Sequence, residues 1–437
     1  MKKLKKLLYG IVALCCSASF SACDLGDVMG DLGLPSNGIF GENTDKDSSD
    51  ISSEISDDSD TSSVGSDTSS DGSDTSSDGS DTSLDSSDTS SDDSDSSSDS
   101  SGENPDTPDI VTDELSIHFL ELGNQYTGDC TLIKVGDTEV LIDAGSRKGS
   151  AATIVEYVDE YCEDGILEYV IATHAHQDHI AGFVGTKSGA TRNGVFYQYE
   201  IETLIQFPLS GLPLLTDKGN ATLYAEYLES VELLEGKGTT VYTALECWNE
   251  TNGAKRSYTL GEGITMNILY QRFYEETTSD ENDYSVCMLL TQGENNYLFT
   301  GDLEKDGEAS LVENNDLPKC VLYKGGHHGS PTSSTAGLLE KIQPEIVCVC
   351  CCCGSDEYTH NIANMFPSQA FVDRIAPYTD RVYVTTLALG DGFTSMNGNI
   401  VVWSDGKEVD VACSNNDVLF KDTEWFKANR ETPTSWQ

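Results

Sequence analysis

Residues 173–179 read Thr-His-Ala-His-Gln-Asp-His, and no other stretch constrains the fold as much. Four groups able to bind a divalent metal, His174, His176, Asp178 and His179, fall within six positions of a 437-residue chain that holds only 7 histidines. Zinc or manganese is held by neutral imidazoles and carboxylates that converge from different directions. The run before the cluster, Tyr169-Val170-Ile171-Ala172-Thr173, is apolar and β-branched and reads as a buried strand. Helix-like sequence begins at Ile180. A loop leaving a strand end can turn His174 and His176 toward one ion, and Asp178 and His179 toward a second. The alternative is a polar loop with incidental histidines. It leaves unexplained why further ligand-type residues recur downstream.

Composition divides the chain. Residues 1–23 carry Lys2, Lys3, Lys5 and Lys6, a short apolar run from Leu7 to Leu14, and Phe20-Ser21-Ala22-Cys23. That order reads as an export signal, too short for an ordinary spanning helix. Its end resembles a bacterial lipobox, which predicts lipidation at Cys23 and attachment to the outer face of the cell membrane, with plain secretion as the alternative. Residues 24–114 are rich in Ser, Asp, Thr and Gly, with Ser-Asp-Thr-Ser recurring every seven residues from Ser59 to Ser87. The repeat has no apolar a and d positions, so it is no coiled coil. It predicts a disordered, self-repelling acidic tether. That segment holds 27 acidic residues against one lysine and the first 23 residues hold four lysines, so of the formal −50 the remainder carries −28.

Of the 14 cysteines, 11 lie beyond residue 23, with no spacing that suggests a disulfide framework. Cys350 to Cys353 continue the apolar Ile346-Val347-Cys348-Val349, which reads as a buried strand using Cys as a small hydrophobe. A thiolate metal site is the alternative, disfavoured because alternate strand residues point to opposite faces. From residue 115 on, strand patterns alternate with helical ones and hairpins are mixed in, which predicts a layered α/β domain with mixed sheets over 115–407 and a C-terminal tail over 408–437.

Three later features share the placement of the first cluster just after a strand pattern: Thr300-Gly301-Asp302, Gly325-Gly326-His327-His328-Gly329-Ser330, and Tyr358-Thr359-His360. Together with Phe-Leu-Glu-Leu-Gly from Phe119 and Leu-Ile-Asp-Ala-Gly from Leu141, the series resembles the metallo-β-lactamase fold. More narrowly, it resembles the soluble hydrolase domain of the ComEC competence DNA-uptake proteins. The resemblance spans about residues 115–407 and implies an αββα sandwich. It also implies that His174 and His176 bind one metal, Asp178 and His179 the other, that Asp302 bridges them, and that one of His327 and His328 completes the second site. The third histidine the superfamily usually brings to the first metal is absent. Asn282 and Asp283 stand in its place, so that site is weak or is completed by Asp283 or water. His360 reads as a ligand, a phosphate contact, a general acid or an idle surface residue, and His118 as structural.

Two zinc or manganese ions held this way imply hydrolysis by a metal-bound hydroxide, with Asp178, Asp302 and His328 as the catalytic set. Lys324, Ser330 or His328 would steady a phosphoryl oxygen, with a solvated strand-end lysine as the alternative for Lys324. The expected substrate is a phosphodiester outside the membrane. A domain at −28 has no basic track for a phosphate backbone, which argues against long nucleic acid, with a nuclease acting in DNA uptake as an alternative. A surface binding protein with a vestigial metal site is the reading of a different class. No protein partner is legible.

Overall fold

The computed structural model describes residues 112–437. The export signal at 1–23, the lipidation at Cys23 and the tether as far as residue 111 lie outside the described residues. Among the described residues no helix is long and apolar enough to cross a membrane.

Two eight-stranded sheets form the domain. The first contains β1 (Leu115–Phe119), β2 (Thr131–Val135), β3 (Thr138–Ile142), β4 (Ile166–Ala172), β7 (Glu200–Gln206), β8 (Thr240–Thr243), β17 (Ile400–Ser404) and β18 (Val409–Cys413). Its order is β18-β17-β1-β2-β3-β4-β7-β8. A small hairpin, β5 (Lys187–Ser188) and β6 (Thr191–Arg192), stands apart. The second sheet contains β9 (Ser257–Gly261), β10 (Ile264–Leu269), β11 (Cys287–Gln292), β12 (Asn295–Phe299), β13 (Leu322–Lys324), β14 (Ile346–Cys353), β15 (Val382–Leu389) and β16 (Gly392–Ser395), in order β16 back to β9. Each sheet is mixed: β3, β4, β7 and β8 run parallel, as do β12 to β15, and hairpins flank both runs.

Strand β14 shows how the layers are built. All eight of its residues are buried, and they alternate. Ile346, Cys348 and Cys350 join the core between the sheets, where Phe119 and Phe299 also stack at 6.4 Å. Val347, Val349, Cys351 and Cys353 join a second core under the outer helices, with Leu338, Phe371 and Val372. The period-two pattern of a fully buried strand therefore supplies two cores at once. The cysteines act as small hydrophobes, and all 11 in the described residues are free. Helices α1 (Ser150–Val158), α2 (Gln177–Val184), α3 (Val195–Gln198), α4 (Leu223–Lys237) and α5 (Ala244–Asn249) accompany the first sheet. Helices α6 (Lys305–Asn314), α7 (Ala336–Ile342) and α8 (Gln369–Ile375) accompany the second. Helix, sheet, sheet, helix is the αββα sandwich.

The C-terminal segment corrects the expectation of a tail. Strand β18 pairs along β17, and a further helix, α9 (Glu424–Asn429), follows. Phe420, Phe426 and Trp436 are buried in the outer core of the second sheet, so the folded unit runs on through 408–437. These three aromatics are too widely spaced to make a periodic signal, and only their common landing place reveals them.

Candidate metal centre

The strand ends deliver the site. Strands β4, β12, β13 and β14 leave their sheets at the same edge, and the segments that follow carry 173–179, whose last three residues open α2, 300–302, 325–330 and 354–367. Ligands collect at such carboxyl edges because the loops there converge. Gly145 allows the closest approach: a Cβ there would lie 1.5 Å from the Asp178 carbonyl oxygen, so only glycine lets the loop after β3 meet the histidine cluster.

Four side chains converge. Asp129, His179, Asp302 and His328 each offer a ligand atom, and these atoms lie within 4.8 Å of one another. His179 Nε2 stands 3.0 Å from Asp302 Oδ2, and His328 Nε2 stands 3.1 Å from the same oxygen and 3.3 Å from Asp178 Oδ2. Behind each ring, a second contact fixes its orientation. His179 Nδ1 is 2.8 Å from Asp143 Oδ2, and His328 Nδ1 donates to the Cys350 carbonyl at 2.8 Å. Both Nε2 atoms are thus aimed inward, as metal-binding imidazoles are. Asp143 is itself held by the backbone N–H of Thr173 at 2.8 Å and by its hydroxyl at 2.7 Å.

Beside this group lies a second, thinner one. His174 Nε2 is 3.0 Å from His176 Nδ1, and His176 Nδ1 is 2.9 Å from Asn282 Oδ1. Asn282, not Asp283, therefore faces the imidazoles. The Asp283 carboxylate accepts from Thr278 Oγ1 at 3.4 Å, and burial and the neighbouring Asp280 push its pKa up to about 6. The expectation that Asp283 completes this group is corrected: residue 282 ends up against the rings because a turn of 3₁₀ helix, Glu281–Tyr284, points successive side chains apart.

The electrostatics suit a cation. Burial works against charge on Asp302, yet His179 and His328 hold its carboxyl well below the usual range. Asp178 is held down in the same way, against burial, chiefly by its bond to His328. Burial and the neighbouring His179 and His176 keep His174 well below the usual imidazole value, which leaves its lone pair free. Asp129 Oδ1, Asp302 Oδ1 and His328 Nε2 are buried, and beyond the ion contacts within the cluster itself none has a hydrogen-bond partner. Polar atoms left so cost free energy in a protein interior, and these three belong to the side chains that converge. A divalent cation would satisfy them together, so the residues present fit one.

Several expected residues stand elsewhere. His327 has Nδ1 3.2 Å from Glu304 and Nε2 3.9 Å from Asp302 Oδ2, whereas His328 Nε2 is 3.1 Å from that oxygen, so His328 is the member of the pair that joins the four converging side chains. Both residues have left-handed backbone, with φ of 45° and 55°, and this curl sends consecutive rings in different directions. Lys324 is neither solvated nor open to a substrate: it is buried, ion-paired with Asp129 and 3.6 Å from Asp302 Oδ1. The Ser330 hydroxyl is engaged with Thr332 Oγ1 at 2.8 Å inside its own turn. The His360 side chain is 90% exposed and meets Asp356 at 3.5 Å, away from the cluster. His118 bonds Tyr157 and Ser116 within the first sheet layer, consistent with a structural role.

Three contributors escaped the sequence reading. Asp129 lies two residues before β2, in Gly128-Asp129-Cys130, where a carboxylate entering a strand carries none of the strand-exit signal that marked Asp302. Asp143 lay inside a motif already singled out. Tyr358, whose hydroxyl donates to Asp178 Oδ2 at 2.7 Å, was overshadowed by the neighbouring His360.

The fold and this cluster define a metallo-β-lactamase-fold protein. Residues 123–189, which contain the histidine cluster, match the family model of the Metallo-beta-lactamase superfamily. In sequence the chain is similar to Recombination protein 2 of Haemophilus influenzae, 33% identical over 88 residues, or 20% of this chain and 11% of that one. It is also similar to ComE operon protein 3 of Bacillus subtilis, 31% identical over 67 residues, or 15% and 9%. The chain thus spans about a tenth of the length of these curated relatives. Among solved structures, the metallo-beta-lactamase fold protein YhfI from Bacillus subtilis aligns over 67% of this chain and 100% of its own, at 13% identity and a TM-score of 0.37. Human tRNase Z, short form, aligns over 62% and 92%, at 14% identity and a TM-score of 0.29.

Proposed function

We propose that this chain is an exported metal-dependent hydrolase that cleaves a phosphodiester outside the membrane, anchored through a lipid on Cys23. The observation that carries the catalytic part is the convergence of Asp129, His179, Asp302 and His328 with three buried atoms left unsatisfied. Divalent cations bound there, zinc or manganese, would supply Lewis acidity and acidify water. The protein's own part is geometric. Asp143 and the Cys350 carbonyl hold His179 and His328 with Nε2 facing inward, and Asp302 lies between the two rings. Asp178 stands at the mouth, bonded to Tyr358, where it can orient the attacking water. Lys324 offsets one of the buried negative charges, so the pocket does not repel a phosphodiester as strongly as its carboxylates alone would.

A net −28 beyond residue 114 favours a small or cell-envelope phosphodiester over long nucleic acid. Asn282 motivates a second reading, a binding protein with one surviving metal position, because an amide oxygen stands where a third imidazole would complete the pair His174 and His176. Metal analysis of the purified protein together with turnover of bis-p-nitrophenyl phosphate decides between them. Metal-dependent cleavage lost in His176→Ala and Asp302→Ala supports the enzyme. No turnover with either metal sinks it, and one ion or none per chain favours the binding role.

A further inference from the structure

The C-terminal segment reaches the metal centre through one arginine. Arg430 is 7% exposed, and its guanidinium donates to the carbonyls of Ile362 at 2.8 Å, Met365 at 2.6 Å, Pro367 at 2.9 Å and Asn429 at 2.8 Å. Its ring partner is Trp425, 4.5 Å away. Three of the four carbonyls belong to the loop after β14, which forms a rim of the candidate site. Such a loop has no ladder to satisfy its buried carbonyls, and a five-donor planar cation can satisfy several at once.

The same loop touches the cluster at two points. Phe366 lies 5.8 Å from the His327 ring and 5.9 Å from the His328 ring. Tyr358 packs on Phe366 at 5.4 Å and donates its hydroxyl to Asp178 Oδ2 at 2.7 Å. The loop base is tied to the arm as well: a Cβ on Gly354 would come 2.4 Å from Trp425 Nε1, and Gln369 exchanges two hydrogen bonds with the Glu431 backbone, at 2.8 and 3.0 Å. A continuous path therefore runs from α9 through Arg430 and the rim loop to Tyr358 and Asp178.

We propose that the C-terminal arm is a working part of the metal centre, with Arg430 and Tyr358 as positioning residues that set the orientation of Asp178. The proposal rests on the reading of Asp178 as a metal-binding carboxylate. Partners of this kind commonly change affinity or activity 10–100-fold when removed.

The test uses the full chain. Manganese affinity is measured by calorimetry, and hydrogen–deuterium exchange is followed without metal. Tyr358→Phe removes only the hydroxyl. It is expected to weaken manganese binding about tenfold with exchange across 355–367 unchanged. Arg430→Ala is expected to weaken binding similarly and to raise exchange across 355–367, while β14 keeps its protection. Arg430→Lys, which can serve fewer carbonyls, falls between and covers the case in which the alanine variant fails to fold. Lys421→Ala, which breaks an ion pair with Asp380 elsewhere on the arm, leaves affinity unchanged. Wild-type manganese affinity in Tyr358→Phe, or unchanged loop exchange in both Arg430 variants, overturns the proposal. A wild-type chain that binds manganese but cleaves no phosphodiester defeats only the enzymatic reading, and one that binds no divalent cation defeats both.

Discussion

The two halves of the metal centre come from the same heptapeptide and end up unequal. Asp178 and His179 meet Asp302 and His328 in a buried group whose rings are each held from behind by an acceptor. His174 and His176 meet each other, and the one group brought to them from a distant segment on the His176 side is the Asn282 amide, with only the Ser285 hydroxyl on the His174 side. The difference teaches that a dense ligand motif supplies at most half of each site. The rest must arrive from distant strands, and here one of the two deliveries is an amide where the other is a carboxylate and an imidazole.

The largest expected effect comes from removing the residue the strong half depends on. Asp302→Ala leaves His179 and His328 without their shared carboxylate. It should abolish tight metal binding and cut turnover at least about 10³-fold, checked by metal analysis and phosphodiester assay. Retained metal at both positions would break the comparison. Next, Asp143→Asn weakens the contact that orients His179 and should cost about 10–100-fold in metal affinity, read by calorimetry. The converse change, Asn282→His, should strengthen the weak half and tighten binding of the more weakly held ion about tenfold, read by calorimetry. If that affinity stays the same, the first position was never limited by residue 282.

A residue outside both halves calibrates the fold itself. Burial, then the charge of Lys134, lowers His118 from 6.5 to about 4. Its folded value lies below its unfolded one, so the unfolded chain binds more protons between these pH values. The stability His118 contributes is complete above about pH 6.5 and is lost as pH falls toward 4, by about 3 kcal/mol. Denaturant titrations of wild type and His118→Gln at pH 7 and pH 4.5 should show a smaller acid loss in the variant. The smallest effect belongs to His360→Ala: an exposed side chain far from the cluster should change turnover less than about twofold.

Much of this was legible in the chain. Strand patterns that end in His, Asp or Gly-rich turns located the edge where ligands gather, because a buried strand has a period-two apolar signature and its exit must be polar. The run of four cysteines read correctly as a strand for the same reason. Illegible were the choices made by loops. His327 and His328 are adjacent and chemically identical, and only a left-handed backbone curl separates the ring nearer Asp302 from the farther one. Asn282 and Asp283 differ in charge, yet the direction of a short 3₁₀ turn decides which faces the histidines.

The sequence by itself determined the chemistry available: imidazoles and carboxylates at strand ends, a strongly acidic chain, and apolar strands enough for two packed sheets. Only the tertiary structure decided which of those groups converge. It buried Lys324 against Asp129, recruited Asp129 and Tyr358 to the site, and folded the last thirty residues back so that Arg430 braces the rim. The physical reason is common to all three. Spacing along a chain records which side chains exist, whereas the burial of unsatisfied polar groups is settled only when segments hundreds of residues apart supply one another's missing partners.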